Sequence, residues 1–384
     1  MKKSGNISRY ILVNLILLII AAVVTIIVMT ENKVKQTSAE TSNVEIKVET
    51  VDVEIEISEE EKQNEGLQES QLPEIQMILE DAQEVQNKEN EGGKDDRNYY
   101  RFYYYQLDDN AKKIYDAIEN NINNMKTGTY TISLSSDIAK ILEEDDGSKK
   151  LNIEFQSAWD AIIMDRVELF YIDISKVCLS IQTISFGSKV QYNLSMGNGN
   201  NSSYLETGYS NKQTVDMVLK QIDDVSDLIV AKLSGDTYDK VTQVHDWLVD
   251  NLSYSSTGGN IYNIYGTFVN KAVVCEGYAE GFKYIMDKIG VPCIVVTGTA
   301  ENSEGEMENH EWNYIQIDEK WYAVDATWDD PIIKGGGILT HALKYKYFLV
   351  GSDIMNKNHF PKGQISTKGI DFSYPKLEES KYKN

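Results

Sequence analysis

The stretch from Val274 to Asp325 constrains the fold more than any other part of the chain. It predicts a helix that begins at Cys275, then a strand, and then two further strands, HEWNYIQI and KWYAVDAT, which meet at Asp318–Glu319. Gly290, followed two residues later by proline, is a typical helix stop. A helix followed by an antiparallel hairpin indicates an α+β fold.

A two-residue turn at Asp318–Glu319 would set the register of the hairpin. His310 would then face Thr327, and Asp325 would point to the same side, one diagonal step away. Diagonal neighbours lie roughly 7–8 Å apart, within reach of an imidazole and a carboxylate. A three-residue loop without a bulge would reverse this parity. The register therefore predicts that Asp325 orients His310.

Cys275 falls at the first turn of its predicted helix. Unpaired backbone N–H groups and the helix dipole favour a thiolate there, and the same groups can hold an oxyanion. Cys178 and Cys293 fall within strands and are typical of buried core residues. Cys275, His310 and Asp325 are therefore the candidate catalytic residues of a cysteine acyl-transfer site. Their spacing does not distinguish proteolysis, amidation and transamidation.

Four stretches resemble the transglutaminase-like superfamily: KVTQVHDWLVDNLSY, VVCEGYAEGFKYIMDKIGVPCIVVTG, NHEWNYIQIDEKWYAVDATWDDP and YKYFLVGSD. The resemblance covers about residues 237–355 and implies a papain-like core, with helices packed on an antiparallel sheet. It implies that Cys275 is the nucleophile, His310 the base and Asp325 the orienting acid. Trp312 and Trp328 match aromatic positions of the family that flank His310 and Asp325. The resemblance extends to a bacterial branch in which a small domain precedes the core.

The family includes protein cross-linking transamidases, peptidases, amidases and proteins without known activity. Its animal enzymes add a tryptophan to the oxyanion hole, whereas the upstream loop here offers Tyr262 and Tyr265, neither of which the resemblance assigns. No calcium loop, CxxC motif or clustered Cys/His pattern is present, so we expect neither a metal nor a cofactor.

The N-terminal residues predict a membrane anchor. Residues 10–29 are almost entirely apolar, and the run from Ile11 to Met29 matches a bilayer core of about 30 Å. Basic side chains in residues 1–9 place that tail in the cytoplasm and the rest of the chain outside. A cleaved signal peptide is the alternative, but no A-x-A site follows Met29.

Residues 30–97 predict an acidic disordered linker. They carry twenty acidic and seven basic side chains, a net −13 of the chain's −23, and no aromatic residue. The alternating segment from Val44 to Ile57 predicts an unpaired strand, because its polar face is nearly all charged. Strong acidity also argues against a nucleic-acid partner.

Residues 98–205 predict a small mixed α/β domain, with strands at TYTISL, LFYIDI, KVCLSIQTI and KVQYNLSM. Residues 206–384 form the predicted catalytic domain, which starts with helices near Lys212–Leu233 and Tyr238–Leu252. His245 lies on an apolar stripe and is typical of a packing residue. His341 and His359 have no partner pattern and are interpreted as structural or exposed.

Four functions follow from these features. Hydrolysis of peptide or glutamine-type carboxamide bonds through a thioester is favoured, because water is plentiful outside the cell and transamidation needs a site that excludes it. Cell-wall peptides and surface proteins are the expected substrates. The alternatives are a protein-glutamine gamma-glutamyltransferase that cross-links surface proteins, an inactive scaffold with the same fold, and a redox protein in which Cys178 pairs with Cys293.

Overall fold

The computed structural model describes residues 47–54, 99–186, 189–330 and 340–384, the first of these as backbone. The predicted span at residues 10–29 and most of the predicted linker lie outside these ranges. Among the helices that are described, none combines the length and the apolar character needed to cross a bilayer.

The described residues contain ten strands and nine α-helices, joined by loops and short 3-10 turns. The strands are β1 (Lys47–Glu54), β2 (Ile132–Leu134), β3 (Cys178–Phe186), β4 (Lys189–Gly197), β5 (Ser253–Tyr254), β6 (Ala272–Val273), β7 (Cys293–Glu301), β8 (Met307–Ile317), β9 (Lys320–Val324) and β10 (His359–Pro361). The helices are α1 (Asp109–Glu119), α2 (Ile122–Met125), α3 (Ser136–Ala139), α4 (Gly147–Asp165), α5 (Lys212–Val230), α6 (Thr237–Asn251), α7 (Cys275–Lys288), α8 (His341–Lys344) and α9 (Ser352–Met355).

The first sheet has the strand order β1-β3-β4-β2. The expectation of an unpaired strand near residues 44–57 is wrong for β1, which pairs in parallel with β3, Lys47 beside Cys178. The predicted strand LFYIDI is also wrong. It connects two short 3-10 turns and pairs at Ile172 with Leu205 in an isolated bridge. The Asp173 side chain accepts a hydrogen bond from the Ser175 backbone N–H, which closes a local turn instead of extending the chain.

The second sheet has the strand order β10-β7-β8-β9 and is antiparallel throughout. Asp318 and Glu319 form the two-residue turn between β8 and β9, both with positive φ (51° and 64°), as a type I′ turn requires. Ile317 pairs with Lys320 and Asn313 with Val324. The predicted register of the hairpin is therefore confirmed.

Helix α7 packs on β8 and is held there by Asn313, whose side-chain amide donates to the Ala279 carbonyl (2.9 Å). Two glycines in α7 let neighbouring side chains pack closely against its first turns. A Cβ at Gly277 would lie 2.5 Å from Val273, and one at Gly281 would lie 2.4 Å from Thr267. The close approach fixes the start of α7, and with it Cys275, against β6.

Substituting Gly281 with alanine should destabilise the protein, although alanine favours helix. Thr267 is fully buried and stiff at its branched Cβ, so it cannot move aside. Overpacking should lower the free energy of unfolding by about 1–3 kcal/mol, whereas the higher helix propensity of alanine should raise it by about 1 kcal/mol. We expect a melting temperature a few degrees lower. The matched control is Gly259→Ala, an exposed position with nothing near the added Cβ, which should leave the melting temperature unchanged.

Core side chains from both sides of the predicted boundary at residue 205 pack together. One apolar cluster extends from Tyr103 to Phe372. The Tyr103 hydroxyl donates to the Val295 carbonyl, and the Ser366 hydroxyl donates to Asp160 (2.6 Å). The two predicted domains thus share a continuous interior, and the boundary itself stays a prediction.

Candidate active site

Cys275 is the first residue of α7, as predicted, and follows the extended residue Val274. Its thiol donates to Oε2 of Glu276 (3.0 Å) rather than to His310. The expectation that the helix start favours a thiolate is wrong for this resting arrangement. Burial and the charges of Glu276 and Glu311 raise the pKa of Cys275 well above its usual range, and outweigh a hydrogen bond from the Glu311 backbone.

His310 and Asp325 are in direct contact. Nε2 of His310 lies 2.9 Å from Oδ2 of Asp325, and both side chains are buried. Burial lowers the pKa of His310, but the charge and the hydrogen bond of Asp325 outweigh burial and leave that pKa raised. Because Asp325 holds Nε2, the other ring nitrogen, Nδ1, remains to exchange a proton.

Asp325 accepts four hydrogen bonds. Its Oδ1 accepts the backbone N–H groups of Thr327 (3.0 Å) and Trp328 (3.1 Å), and its Oδ2 accepts from two imidazoles. Burial alone would raise the pKa of Asp325, but the interactions with His310 and His359 hold it well below its usual range. The carboxylate is therefore charged and fixed in orientation.

His359 is the second imidazole on Asp325, with Nε2 at 3.0 Å from the same Oδ2. Its interpretation as structural or exposed missed this contact, since the ring is 1% exposed. Strand β10 has three residues and pairs with β7, His359 beside Ala300, which brings the ring to the site. A strand of three residues is too short to show a periodic pattern, so the sequence does not indicate that His359 contacts Asp325.

Aromatic rings enclose the two imidazoles. The ring of Trp328 lies 5.1 Å from that of His310 and 4.6 Å from that of His359. Trp312 lies 6.0 Å from His310, and Tyr347 lies 5.2 Å from His359. Trp312 and Trp328, the aromatic residues that the resemblance matches beside His310 and Asp325, therefore pack around the imidazoles.

Cys275 and His310 open on one cavity of about 510 Å³. The described residues that line it are polar and aromatic and include three acidic side chains and one lysine: Tyr254, Cys275, Glu301, Asn302, Ser303, Glu308, Asn309, His310, Thr327, Trp328, Asp330, Lys346, Tyr347 and Asn358. Tyr254, which the sequence did not single out, lines this cavity, whereas Tyr262 and Tyr265 do not. Burial and the nearby Cys275 raise the pKa of Tyr254.

The remaining candidate residues lie elsewhere. His245 is buried, and its Nε2 lies 3.1 Å from Oδ2 of Asp329, in keeping with a packing role. His341 is exposed on α8. Cys178 and Cys293 are buried and neither forms a disulfide. The disulfide that the redox alternative requires is therefore not observed.

His310, Asp325 and His359 place three possible ligand atoms within 4.8 Å of one another, a spacing that a metal ion would also accept. This spacing is also explained without a metal ion, because both imidazoles lie within hydrogen-bond distance of the same carboxylate oxygen. The expectation of a metal-free site therefore stays a prediction that a chelator can test.

The helix start, the hairpin and their three polar side chains belong to a transglutaminase-like domain. The model of the transglutaminase-like superfamily matches residues 224–326. The chain is 29% identical over 96 residues to the kyphoscoliosis peptidases of Mus musculus and Homo sapiens. Each match covers 23% of this chain and 14% of the relative, so the chain spans a small part of these relatives' length.

Two solved structures are similar at low identity. The crystal structure of a TGase is 15% identical, covers 47% of this chain and 51% of its own, and has a TM-score of 0.27. The periplasmic domain of TgpA from Pseudomonas aeruginosa, bound to ethylmercury, is 16% identical, covers 36% of this chain and 56% of its own, and has a TM-score of 0.23.

Proposed function

We propose that this protein is a cysteine acyl-transfer enzyme that acts on peptide or glutamine-type carboxamide bonds outside the cytoplasm. Cys275 is the nucleophile, His310 the general base and Asp325 the orienting acid. One observation carries the proposal: His310, which is hydrogen-bonded to Asp325, and the helix-start Cys275 open on the same cavity. A scaffold protein would have no use for this combination.

The reaction begins when the Cys275 thiol turns from Glu276 toward His310. Nδ1 of His310 takes the thiol proton, and the sulfur attacks the carbonyl carbon. The C–N bond breaks, the leaving ammonia or amine takes the proton from His310, and a thioester remains. Water or a second amine then attacks the thioester carbonyl, and His310 again receives a proton. The C–S bond breaks to release an acid or a new amide, and His310 returns the proton to the Cys275 sulfur.

Two donors are placed to stabilise the oxyanion of the tetrahedral intermediate. The backbone N–H of Cys275 lies at the helix start, where such groups lack partners within the helix. The Tyr254 hydroxyl lines the cavity beside Cys275, and the raised pKa of Tyr254 keeps it protonated as a donor. Tyr254 therefore takes the place for which the sequence offered only Tyr262 and Tyr265.

Hydrolysis is the favoured outcome, and cell-wall peptides or surface proteins are the proposed substrates of an enzyme anchored through residues 10–29. Cross-linking by transamidation is the second candidate, and one observation favours it. Among the described lining residues, the acidic side chains of Glu301, Glu308 and Asp330 outnumber the one cation, Lys346. This charge would attract the protonated amine of an acyl acceptor.

The experiment offers the full chain two substrates, purified cell-wall peptides and a glutamine-bearing protein with a fluorescent primary amine. Release of a carboxylic acid without amine incorporation would establish hydrolysis, and incorporation would establish transamidation. Both must disappear in Cys275→Ala, while Cys178→Ala, at a buried cysteine outside the cavity, retains them. If the wild type turns over neither substrate and Cys275 reacts with iodoacetamide no faster than Cys293, the scaffold function replaces this proposal.

A further inference from the structure

His359 lies too deep to touch a substrate, yet it contacts the group on which His310 depends. Its side chain is fully buried, with Nε2 on Oδ2 of Asp325 and Nδ1 2.9 Å from Oδ1 of Asn358. The amide of Asn358 in turn donates to the Tyr347 hydroxyl (2.8 Å). These contacts hold the second imidazole in a single orientation toward the carboxylate.

The proton arrangement follows from the chemistry of the groups. A charged carboxylate only accepts, so both His310 and His359 must present an N–H to the same oxygen of Asp325. Burial, the charge of His310 and the charge of Lys346 lower the pKa of His359, although Asp325 opposes them. As a second N–H donor, His359 draws on the negative charge that Asp325 otherwise offers to His310 alone.

We propose that His359 is a positioning residue that shares Asp325 with His310 and thereby sets how tightly His310 holds the proton it takes from Cys275. The inference rests on the proposed function of Cys275 and His310. If Asp325 accepted a hydrogen bond from His310 alone, the His310 imidazole would be a stronger base and its protonated form a weaker acid. It would accept the thiol proton readily but return it slowly to the leaving amine.

Several charged or titratable groups face the two rings. Asp325 follows β9 and Lys346 follows α8, while Glu308 lies on β8 and Cys275 and Glu276 on α7. Among these groups only Asp325 is hydrogen-bonded to both imidazoles. A change confined to His359 therefore reaches His310 chiefly through that carboxylate.

The test compares His359→Leu, which removes the donor, with His359→Gln, whose amide nitrogen can occupy the place of Nε2 without titrating. In His359→Leu we expect the alkaline limb of the kcat/KM profile to move up by about one pH unit and kcat to fall about tenfold. His359→Gln should keep the wild-type limb and most of kcat. Assays contain EDTA, so that a metal ion on the two imidazoles cannot contribute.

A second measurement does not depend on turnover. The chain has four histidines, so ¹⁵N-labelled imidazole spectra in a Cys275→Ala background can follow the titration of His310 directly. His359→Leu should raise the His310 midpoint, while His341→Leu, at an exposed histidine on α8, should not. An unchanged midpoint would overturn the proposal even if the protein proves inactive. If His359→Leu does not fold, a shifted midpoint or a tenfold loss of kcat in His359→Gln overturns it instead.

Discussion

Substituting Asp325 with asparagine should lower kcat by about 10³-fold or more while the protein remains folded. Oδ1 of this residue accepts two backbone N–H groups, so the asparagine oxygen must stay at that position. The amide nitrogen then replaces Oδ2 and faces the Nε2 atoms of His310 and His359. Two donors would meet at each contact, and His310 can avoid this only by moving its proton to Nδ1.

That tautomer has no lone pair for the Cys275 proton, which is why the expected loss is large. Removing the aspartate of a serine-protease triad, which leaves the geometry intact but the tautomer wrong, costs about 10⁴-fold. The measurement is single-turnover acylation, with circular dichroism to establish folding. Asp353→Asn makes the same chemical change at an exposed residue of α9 and should leave the rate unaltered. A loss below tenfold in Asp325→Asn would mean that His310 is not oriented by this carboxylate.

Substituting Glu276 with glutamine should make Cys275 more reactive toward iodoacetamide at neutral pH, by about tenfold. The charge of Glu276 and its hydrogen bond raise the pKa of Cys275, and each pKa unit removed gives about ten times more thiolate. Burial and the side chain of Glu311 also raise the pKa of Cys275 and stay in place, so only the part of the shift that Glu276 contributes is removed.

The control for this experiment is Glu308→Gln, which removes a carboxylate from the same cavity without a hydrogen bond to the thiol. It should change the alkylation rate far less than Glu276→Gln. Cys178 and Cys293 serve as internal references within each sample, because both are buried. Equal rates in the two variants would show that Glu276 does not restrain the thiol.

The sequence predicted the parts of the site that depend on local rules. A two-residue turn admits one register, so the pairing of His310 with Asp325 followed from Asp318–Glu319. The start of α7 at Cys275 followed from helix periodicity and from Gly290 as its end. These features need no knowledge of how distant segments meet.

The features that it missed depend on long-range contacts or on neighbouring charge. His359 follows Asp325 by 34 residues and reaches it through a three-residue strand, and Tyr254 reaches the cavity through the two-residue strand β5. Neither strand is long enough to show a period. The thiolate expectation failed because a dipole rule ignored the adjacent carboxylate of Glu276 and the burial of the sulfur.

The order of these groups along the chain has a consequence for protein synthesis. The nucleophile lies at residue 275, whereas Tyr347, Asn358 and His359 lie further along the chain and leave the ribosome after it. A nascent chain that has emerged only as far as Asp325 would carry Cys275 without the imidazole of His359 and the aromatic wall of Tyr347. The complete site, and with it rapid turnover, would therefore form only after His359 has left the ribosome.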